Sequence, residues 1–260
     1  MCFKKLFGNT PPLPEEQPYS GKTALLFAIN AYKGAPLKGC LNDQKMVEAW
    51  LNTFYPDFIV YKFSDKQVTK NVFKSWCKKY KDLLRPSDDL FIHDSGHGTR
   101  GFDHQGEEAD GYSEALYFYD GPVWDYELRE IFSDIPDGAR LTLAFDTCFS
   151  GGALSRRHNY IMPRYYETQK IPGGVKRKQA FMKFDCDNIV QFAACKEGQT
   201  AADAYIDGQY CGAFTYGWMK TYINEILNAW LDKIKQKIIN FEQVPELYGS
   251  INMKNKLIFT

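Results

Sequence analysis

In the first part of the chain, short apolar runs alternate with amphipathic stretches, and this alternation constrains the fold more than any other feature. We predict strands at residues 23–30, 58–63 and 89–94, because apolar runs of this length bounded by turn residues are typical of buried strands. Between them, residues 41–55 and 69–84 repeat apolar side chains at helical spacing. The order β-α-β-α-β predicts an α/β fold with a parallel sheet and right-handed crossovers.

Two predicted strands end in polar stretches that contain glycine. The strand at 89–94 is followed by Ser-Gly-His-Gly, which carries His97. A further strand, predicted at 140–145, is followed by Asp-Thr-Cys-Phe-Ser-Gly, which carries Cys148. Ligands bind beyond the carboxyl ends of parallel strands, so we expect the histidine and the cysteine to lie at one edge of the sheet.

A cysteine beside a histidine suggests nucleophilic catalysis. The thiolate is the reactive form of cysteine, and a neighbouring imidazole both generates it and protonates the departing amine. We therefore predict that Cys148 is the nucleophile and His97 the acid and base. The backbone N–H groups of Gly98 and Cys148 are candidate oxyanion donors, and donors of this kind lower a barrier by about 3–4 kcal/mol.

These two motifs resemble the histidine and cysteine boxes of metacaspases, which are caspase-like cysteine peptidases. The histidine lies about 50 residues upstream of the cysteine, a caspase spacing. Three further stretches resemble the family in the same order: residues 39–43, 193–204 and 212–215, the last reading Gly-Ala-Phe-Thr. The resemblance spans roughly residues 22–260. It implies a three-layer α/β/α sandwich with a mostly parallel central sheet.

The resemblance also implies an acidic pocket that accepts Arg or Lys. Its residues correspond here to Cys40, Asp43, Ser95 and Asp146. Two carboxylates and a hydroxyl suit a guanidinium group, so we predict cleavage after Arg or Lys. Taken singly, Asp43 is also a candidate helix cap, Asp146 a turn former and Cys40 a small buried apolar residue.

No metal or cofactor is expected to be required for the reaction. His93 and His97 are four residues apart, but two imidazoles make only half a zinc site, so a zinc hydrolase is a minor alternative. We expect His93 to be buried and hydrogen-bonded instead.

Calcium activates many metacaspases, but this chain departs from the family at the corresponding aspartates. Ser113 and Ser155 replace two of them, and a paired Asp-Asp is reduced to Asp125 alone. Calcium prefers six to eight oxygen ligands, so we expect the family site to be lost or weak. The acidic residues of 103–110 leave a different calcium site open.

Composition limits the partners that we expect. The formal net charge is zero, which gives no field that would attract nucleic acid or an anionic membrane. No apolar run approaches the ~20 residues that span a bilayer, and we do not expect the first residues to act as a secretory signal. Seven cysteines without paired spacing favour reduced thiols and a cytoplasmic location. The expected partners are peptide or protein substrates containing Arg or Lys, and the family resemblance suggests a monomer.

The predicted organisation is an extended leader at residues 1–21 followed by one caspase-like peptidase domain at 22–260. Within that domain, residues 22–152 resemble a large subunit and residues 186–260 a small subunit. Residues 153–185 between them are predicted to form a basic mobile linker.

The second half of the chain contains fewer predicted elements. We predict strands at 115–119, 188–194 and 257–259, and helices at 126–135 and 214–239.

Two questions stay open at this stage. The basic loop at 153–180 is either a self-cleavage site or an ordinary solvated loop, with equal support for each. The competing function is a catalytically silent scaffold that keeps the fold in order to bind peptides or regulate a partner.

Overall fold

The structure is a computed structural model of the chain, and it describes residues 12–103, 111–147, 161–164, 187–196 and 199–259. The strands are β1 (Lys22–Ala28), β2 (Ile59–Ser64), β3 (Asp89–Ser95), β4 (His97–Phe102), β5 (Tyr112–Phe118), β6 (Gly121–Trp124), β7 (Arg140–Asp146), β8 (Ile161–Pro163), β9 (Ile189–Ala193), β10 (Ala202–Ile206), β11 (Gln209–Gly212) and β12 (Glu246–Tyr248). The α-helices are α1 (Cys40–Phe54), α2 (Lys70–Asp82), α3 (Asp125–Ile131), α4 (Ala213–Thr221), α5 (Leu227–Lys237) and α6 (Ile251–Lys254).

The central sheet has six strands in the order β12-β9-β7-β3-β1-β2. Every neighbouring pair is parallel except β12 with β9. β3 and β7 pair over their full lengths, and Ser95 lies opposite Asp146 at their carboxyl ends. The α/β prediction is confirmed, and the sheet brings the two strand ends of the sequence motifs side by side.

Apolar side chains project from both faces of the sheet, and helices pack on each face. On β1, Leu25 and Phe27 belong to one core with α2 and α3. Leu26 faces the other core, where it joins Trp50 of α1 and Trp218 of α4. This alternation follows from the two-residue period of a strand, and strands covered on both sides are apolar throughout. The resulting three layers agree with the predicted sandwich.

Among the described residues, two three-stranded sheets lie outside the central one: β4-β5-β6 and β11-β10-β8. β4 begins at His97, directly after β3 ends, and Gly96 makes the turn between them. A Cβ atom on Gly96 would lie 2.4 Å from the Tyr32 hydroxyl, so this position needs glycine. Asp207 and Gly208 join β10 to β11 with positive φ angles of 49° and 89°, as a tight hairpin turn requires.

Two predictions for the last third of the chain are wrong. The helix predicted at 214–239 is divided into α4 and α5. Asn224 adopts a left-handed conformation between them, which allows Trp218 to pack against Trp230 with ring centroids 4.4 Å apart. The strand predicted at 257–259 is only a bridge from Leu257 to Ile226. The apolar period continues across the break, so periodicity alone cannot locate it.

No helix in the described part of the chain is both long enough and apolar enough to cross a bilayer.

Candidate active site

The ends of β3 and β7 form the base of the site. Ser95 and Asp146 are adjacent there, and both are fully buried. His97 follows Ser95 after one glycine and starts the β4 sheet. Cys148 lies outside the described residues, which end in this region at the buried Thr147. The structure therefore brings the predicted histidine and pocket residues together but does not describe the predicted nucleophile.

His97 is buried and held on three sides. Its Nε2 atom lies 2.7 Å from the Ala35 carbonyl oxygen, and its ring packs on Tyr32 with centroids 4.4 Å apart. Its backbone N–H donates to the Tyr32 hydroxyl at 2.9 Å. The Ala35 carbonyl accepts a hydrogen bond from Nε2–H, so Nδ1 carries the lone pair and is the basic nitrogen of the ring. Burial lowers the pKa of His97 to about 4 against the raising effect of the Ala35 hydrogen bond, so the imidazole is neutral at pH 7.

The loop after β1 supports this arrangement. Asp65 accepts hydrogen bonds at 2.8 Å from the backbone N–H groups of Asn30 and Ala31 through one carboxylate oxygen. Tyr32, the next residue, donates its hydroxyl proton to the Tyr117 carbonyl at 2.8 Å. The loop is therefore tied to β5 and to the residue after β2, which fixes the tyrosine that supports the histidine.

Asp43 lies in the first turn of α1, but it does not cap the helix. Gly39 occupies the N-cap position. The Asp43 carboxylate instead accepts the Gly212 N–H at 2.8 Å and the Ser95 hydroxyl at 2.7 Å. The positive end of the helix dipole favours a negative charge at this point.

Asp146 binds the start of α4. Its Oδ2 atom accepts the Thr215 backbone N–H at 2.9 Å and the Thr215 hydroxyl at 2.7 Å. A helix leaves its first N–H groups unpaired, so Asp146 caps α4 from a neighbouring strand. A Cβ atom on Gly212 would lie 2.1 Å from this carboxylate. The Gly-Ala-Phe-Thr sequence thus supplies the space and the donors that Asp146 needs.

His93 takes part in the same network. Its Nε2 atom lies 3.4 Å from the Thr215 hydroxyl oxygen, which already donates to Asp146. Burial lowers the pKa of His93 to about 3, so the ring is neutral and Nε2–H is the donor in this pair. His93 lies on β3 and His97 on β4. In the described ranges, no three His, Cys, Asp or Glu side chains are arranged to hold a metal ion.

Arg164 fills the pocket, and this differs from the mobile linker predicted at 153–185. Its side chain is fully buried. Nη2 lies 2.6 Å from Asp43, and Nη1 lies 2.7 Å from the Ser95 hydroxyl and 2.9 Å from the Asp146 carbonyl. A buried cation requires such partners, and these contacts help to hold this part of the linker on the body. Of the predicted linker, the structure describes residues 161–164. Residues 153–160 and 165–185 lie outside the described residues.

The backbone of Arg164 is hydrogen-bonded as well as its side chain. Gly98 donates its N–H to the Arg164 carbonyl at 2.9 Å, and Arg164 donates its own N–H to the Ala201 carbonyl at 3.2 Å. The preceding β8 residues pair antiparallel with β10. The predicted oxyanion donor Gly98 therefore contacts the carbonyl of the residue whose side chain fills the acidic pocket.

Cys40 and Asp203 complete the surroundings of the guanidinium group. Cys40 is fully buried at the start of α1, and burial raises the pKa of its thiol well above the usual value, although the charge of Arg164 opposes this. Asp203 was not predicted as a pocket residue, yet its Oδ1 atom lies 3.1 Å from Arg164 Nη2. It belongs to the family-like stretch 193–204, and its position in that stretch was the only signal available.

At the described positions that correspond to calcium ligands in the family, the side chains are engaged with other groups of the protein. The Asp125 carboxylate accepts the Tyr126 N–H at 2.8 Å and pairs with Arg129 at 2.7 Å. Ser113 lies 3.4 Å from an Asp103 carboxylate oxygen. Ser155 lies outside the described residues. The one aspartate that remains is therefore already neutralised by an arginine.

Comparison with known proteins gives consistent matches. A family model described as metacaspase, peptidase C14 domain, matches residues 22–156. Metacaspase-1B of Aspergillus niger is 30% identical, and the alignment covers 93% of this chain and 68% of that protein. Metacaspase-1 of Coccidioides immitis is 28% identical, with 97% of this chain and 67% of that protein covered.

Solved structures of caspases share the fold. The Drosophila initiator caspase Dronc matches with a TM-score of 0.58 and 12% identity, covering 98% of this chain and 90% of that chain. Caspase-1 of Spodoptera frugiperda matches with a TM-score of 0.59 and 14% identity, covering 96% of this chain and 98% of that chain. At these identities, the likeness concerns the fold alone.

Proposed function

We propose that this chain, which belongs to the metacaspase family of C14 cysteine peptidases, cleaves peptide bonds after Arg or Lys by means of Cys148 and His97. One observation carries the proposal. The chain's own Arg164 has its guanidinium group in the acidic pocket and its carbonyl oxygen on the Gly98 N–H. A substrate must place the same two groups in the same two positions.

The pocket is suited to a cation for a physical reason. Removing a charge from water costs several kcal/mol, and only close partners with good hydrogen bonds offset that cost. Three fully buried carboxylates, those of Asp43, Asp146 and Asp203, lie within 3.3 Å of the guanidinium nitrogens. An aspartate side chain at the same place would meet only like charge, so caspase-type cleavage after Asp is disfavoured.

The mechanism follows from the residues around the carbonyl group. His97 takes the thiol proton of Cys148, and the sulfur attacks the carbonyl carbon of the residue in the pocket. The negative charge that develops on oxygen is stabilised by the Gly98 N–H and, in our proposal, by the Cys148 N–H. The carbon–nitrogen bond then breaks, and the departing amine takes its proton from His97. Water deprotonated by His97 hydrolyses the thioester and restores the thiol.

We also propose that the first substrate is the chain itself, at the bond between Arg164 and Tyr165. The main support is the direction and register of β8, whose backbone runs antiparallel to β10 up to the occupied pocket. External substrates compete with this internal segment, so the intact chain is expected to be less active than the cleaved chain.

Peptide cleavage tests the main proposal. Matched fluorogenic peptides that end in Arg, Lys or Asp are compared, with Cys148→Ala and His97→Ala as inactive controls. We expect cleavage of the Arg and Lys peptides only. Preference for Asp would contradict the acidic pocket, and hydrolysis that survives Cys148→Ala would contradict the assigned nucleophile. Binding of Arg peptides without any hydrolysis would favour the silent scaffold.

Sequencing of new amino termini tests self-cleavage. The wild-type protein should give a fragment that begins at Tyr165, and Cys148→Ala should stay intact. Arg164→Ala should remove this fragment, whereas Arg156→Ala and Arg157→Ala, changes in the same basic loop, should leave it. Cleavage at another site with an intact Arg164–Tyr165 bond would refute the assignment.

A further inference from the structure

Asp203 is the third carboxylate of the pocket and comes from β10, beneath the bound segment. Its side chain is fully buried, and its Oδ1 atom lies 3.1 Å from Arg164 Nη2. None of the sequence motifs assigns it a role in specificity.

The side chain of Asp203 is fixed in this position by the loop that leads into α1. Its Oδ2 atom accepts the Lys38 backbone N–H at 2.8 Å. A Cβ atom on Gly39 would lie 2.1 Å from Oδ1, so the loop backbone packs closely against the carboxylate. Asp203 also pairs with Met162 in the β8–β10 ladder. Both oxygen atoms are therefore acceptors in set directions, one toward the loop and one into the pocket.

The acceptors around Arg164 are divided between its two terminal nitrogens. Nη1 donates to the Ser95 hydroxyl at 2.7 Å and to the Asp146 carbonyl at 2.9 Å. Nη2 donates to Asp43 at 2.6 Å and to Asp203 at 3.1 Å. Four bonds in this pattern require two separate nitrogens that each carry two protons, which is the geometry of a guanidinium group.

We infer that Asp203, together with Asp43, forms a clamp on Nη2 that makes this pocket select arginine over lysine. The inference rests on the proposed function and specifies its substrate class. A lysine side chain ends in one nitrogen, about where the guanidinium carbon lies, and its three protons radiate from a single point. That nitrogen cannot occupy the Nη1 and Nη2 positions at once, so the Asp203 acceptor is used fully only by arginine.

The charge balance supports a geometric role for Asp203. Asp43 and Asp146 already place two carboxylates against one cation, at 2.6 and 3.3 Å. A third carboxylate is not needed to neutralise the substrate. Its contribution is therefore one hydrogen bond in a fixed direction. A planar guanidinium group can donate in that direction, whereas the single ammonium nitrogen of lysine cannot do so while it also serves the other acceptors.

Asp203→Asn is the direct test in cleavage assays. Both Asp203 oxygens accept hydrogen bonds, one from Lys38 and one from the guanidinium group. An asparagine has only one oxygen, so it must turn its NH₂ group toward either Lys38 or the substrate. Two fluorogenic peptides that differ only in a terminal Arg or Lys are compared by kcat/KM. We expect the wild type to prefer the Arg peptide by about 10-fold or more, and the variant to lose most of that preference. Asp207→Asn, an exposed change on the same hairpin, should leave the preference unchanged.

The outcomes separate this inference from the proposed function. Cleavage of both peptides with an Arg-to-Lys ratio that Asp203→Asn does not alter would overturn the clamp and leave the peptidase assignment intact. If the variant does not fold, competition in the wild type decides: acetyl-Arg-amide should inhibit at least about 10-fold more strongly than acetyl-Lys-amide, and equal inhibition would overturn the inference.

A folding measurement tests the clamp without catalysis. In a Cys148→Ala background, Arg164→Lys should shift the urea midpoint downward. The shift should be clearly smaller when Asp203→Asn is also present, because the acceptor that lysine fails to use is then absent. Equal shifts in the two backgrounds would overturn the inference. If the wild type cleaves no peptide, the proposed function fails and this cycle alone decides on the clamp.

Discussion

Removing Arg164 tests whether its charge compensates the buried carboxylates. Arg164→Ala, made in a Cys148→Ala background so that no cleavage intervenes, leaves Asp43, Asp146 and Asp203 without their shared cation. Removing one partner from a buried ion pair typically costs about 3–5 kcal/mol, because the remaining charge stays buried. We expect a loss of unfolding free energy of that size at pH 8.

The loss should be smaller at pH 6 than at pH 8. Burial raises the pKa of Asp43 to about 7, and the charge of Arg164 opposes that rise. Without Arg164 that opposition is lost, so the folded-state pKa of Asp43 rises further, and the folded variant binds a proton in a pH range where neither the parent nor the unfolded chain does. The contribution of Asp43 to stability is therefore present at low pH and lost as the pH rises through the folded pKa. The Arg164→Ala penalty grows with pH in the same range.

The assay is urea unfolding followed by circular dichroism. Urea is required because guanidinium ions would compete for the pocket. Lys78→Ala is the control, since Lys78 pairs with Asp82 while the two side chains remain 65% and 46% exposed, and its removal should cost about 1 kcal/mol or less. Acetyl-Arg-amide at ten times its Kd should restore about 1.4 kcal/mol to Arg164→Ala and nothing to the parent. An Arg164→Ala cost no larger than the control would refute the reasoning.

Three further predictions concern other parts of the site. The pKa of His93 is lowered from 6.5 to about 3, so between these pH values the unfolded chain holds a proton that the native chain lacks. As the pH falls from 7 to 5, the wild type should therefore lose about 2 kcal/mol more unfolding free energy than His93→Asn, measured by thermal unfolding. Because Asp125 is neutralised by an arginine, peptidase activity in chelator should equal activity in calcium, and a strong calcium requirement would contradict this. Gly212→Ala should cost about 1–3 kcal/mol in urea unfolding, because the added methyl group would lie 2.1 Å from Asp146.

The first half of the fold could be predicted because its signals are local. Apolar runs separated by amphipathic helices imply parallel strands, and the order of the β3 and β7 motifs places their ends together. The strand ends therefore predicted His97 and Cys148 at one edge of the sheet, whereas Ser95 and Asp146 were assigned to the pocket by the family resemblance. The break between α4 and α5 could not, because Asn224 turns the chain without interrupting the apolar period.

The occupied pocket could not be predicted for a different reason. A basic residue in a loop rich in Pro and Gly has the composition of a solvated segment, and only the position of an acidic pocket distinguishes Arg164 from its neighbours. Asp203 was missed in the same way. Its carboxylate acquires a role from Lys38 and Arg164, which are distant in sequence, so its place in the stretch 193–204 does not reveal that role.

The pocket is assembled from both parts of the chain, and this determines what self-cleavage can change. Asp43 of α1 accepts the Gly212 N–H, and Asp203 of β10 accepts the Lys38 N–H, so hydrogen bonds join the segments before and after the linker. β7 and β9 also pair in parallel across it. None of these contacts depends on the peptide bond after Arg164. Under our proposal, cleavage there would give the segment in the pocket a free end, so that it can leave, while the walls of the pocket stay in place.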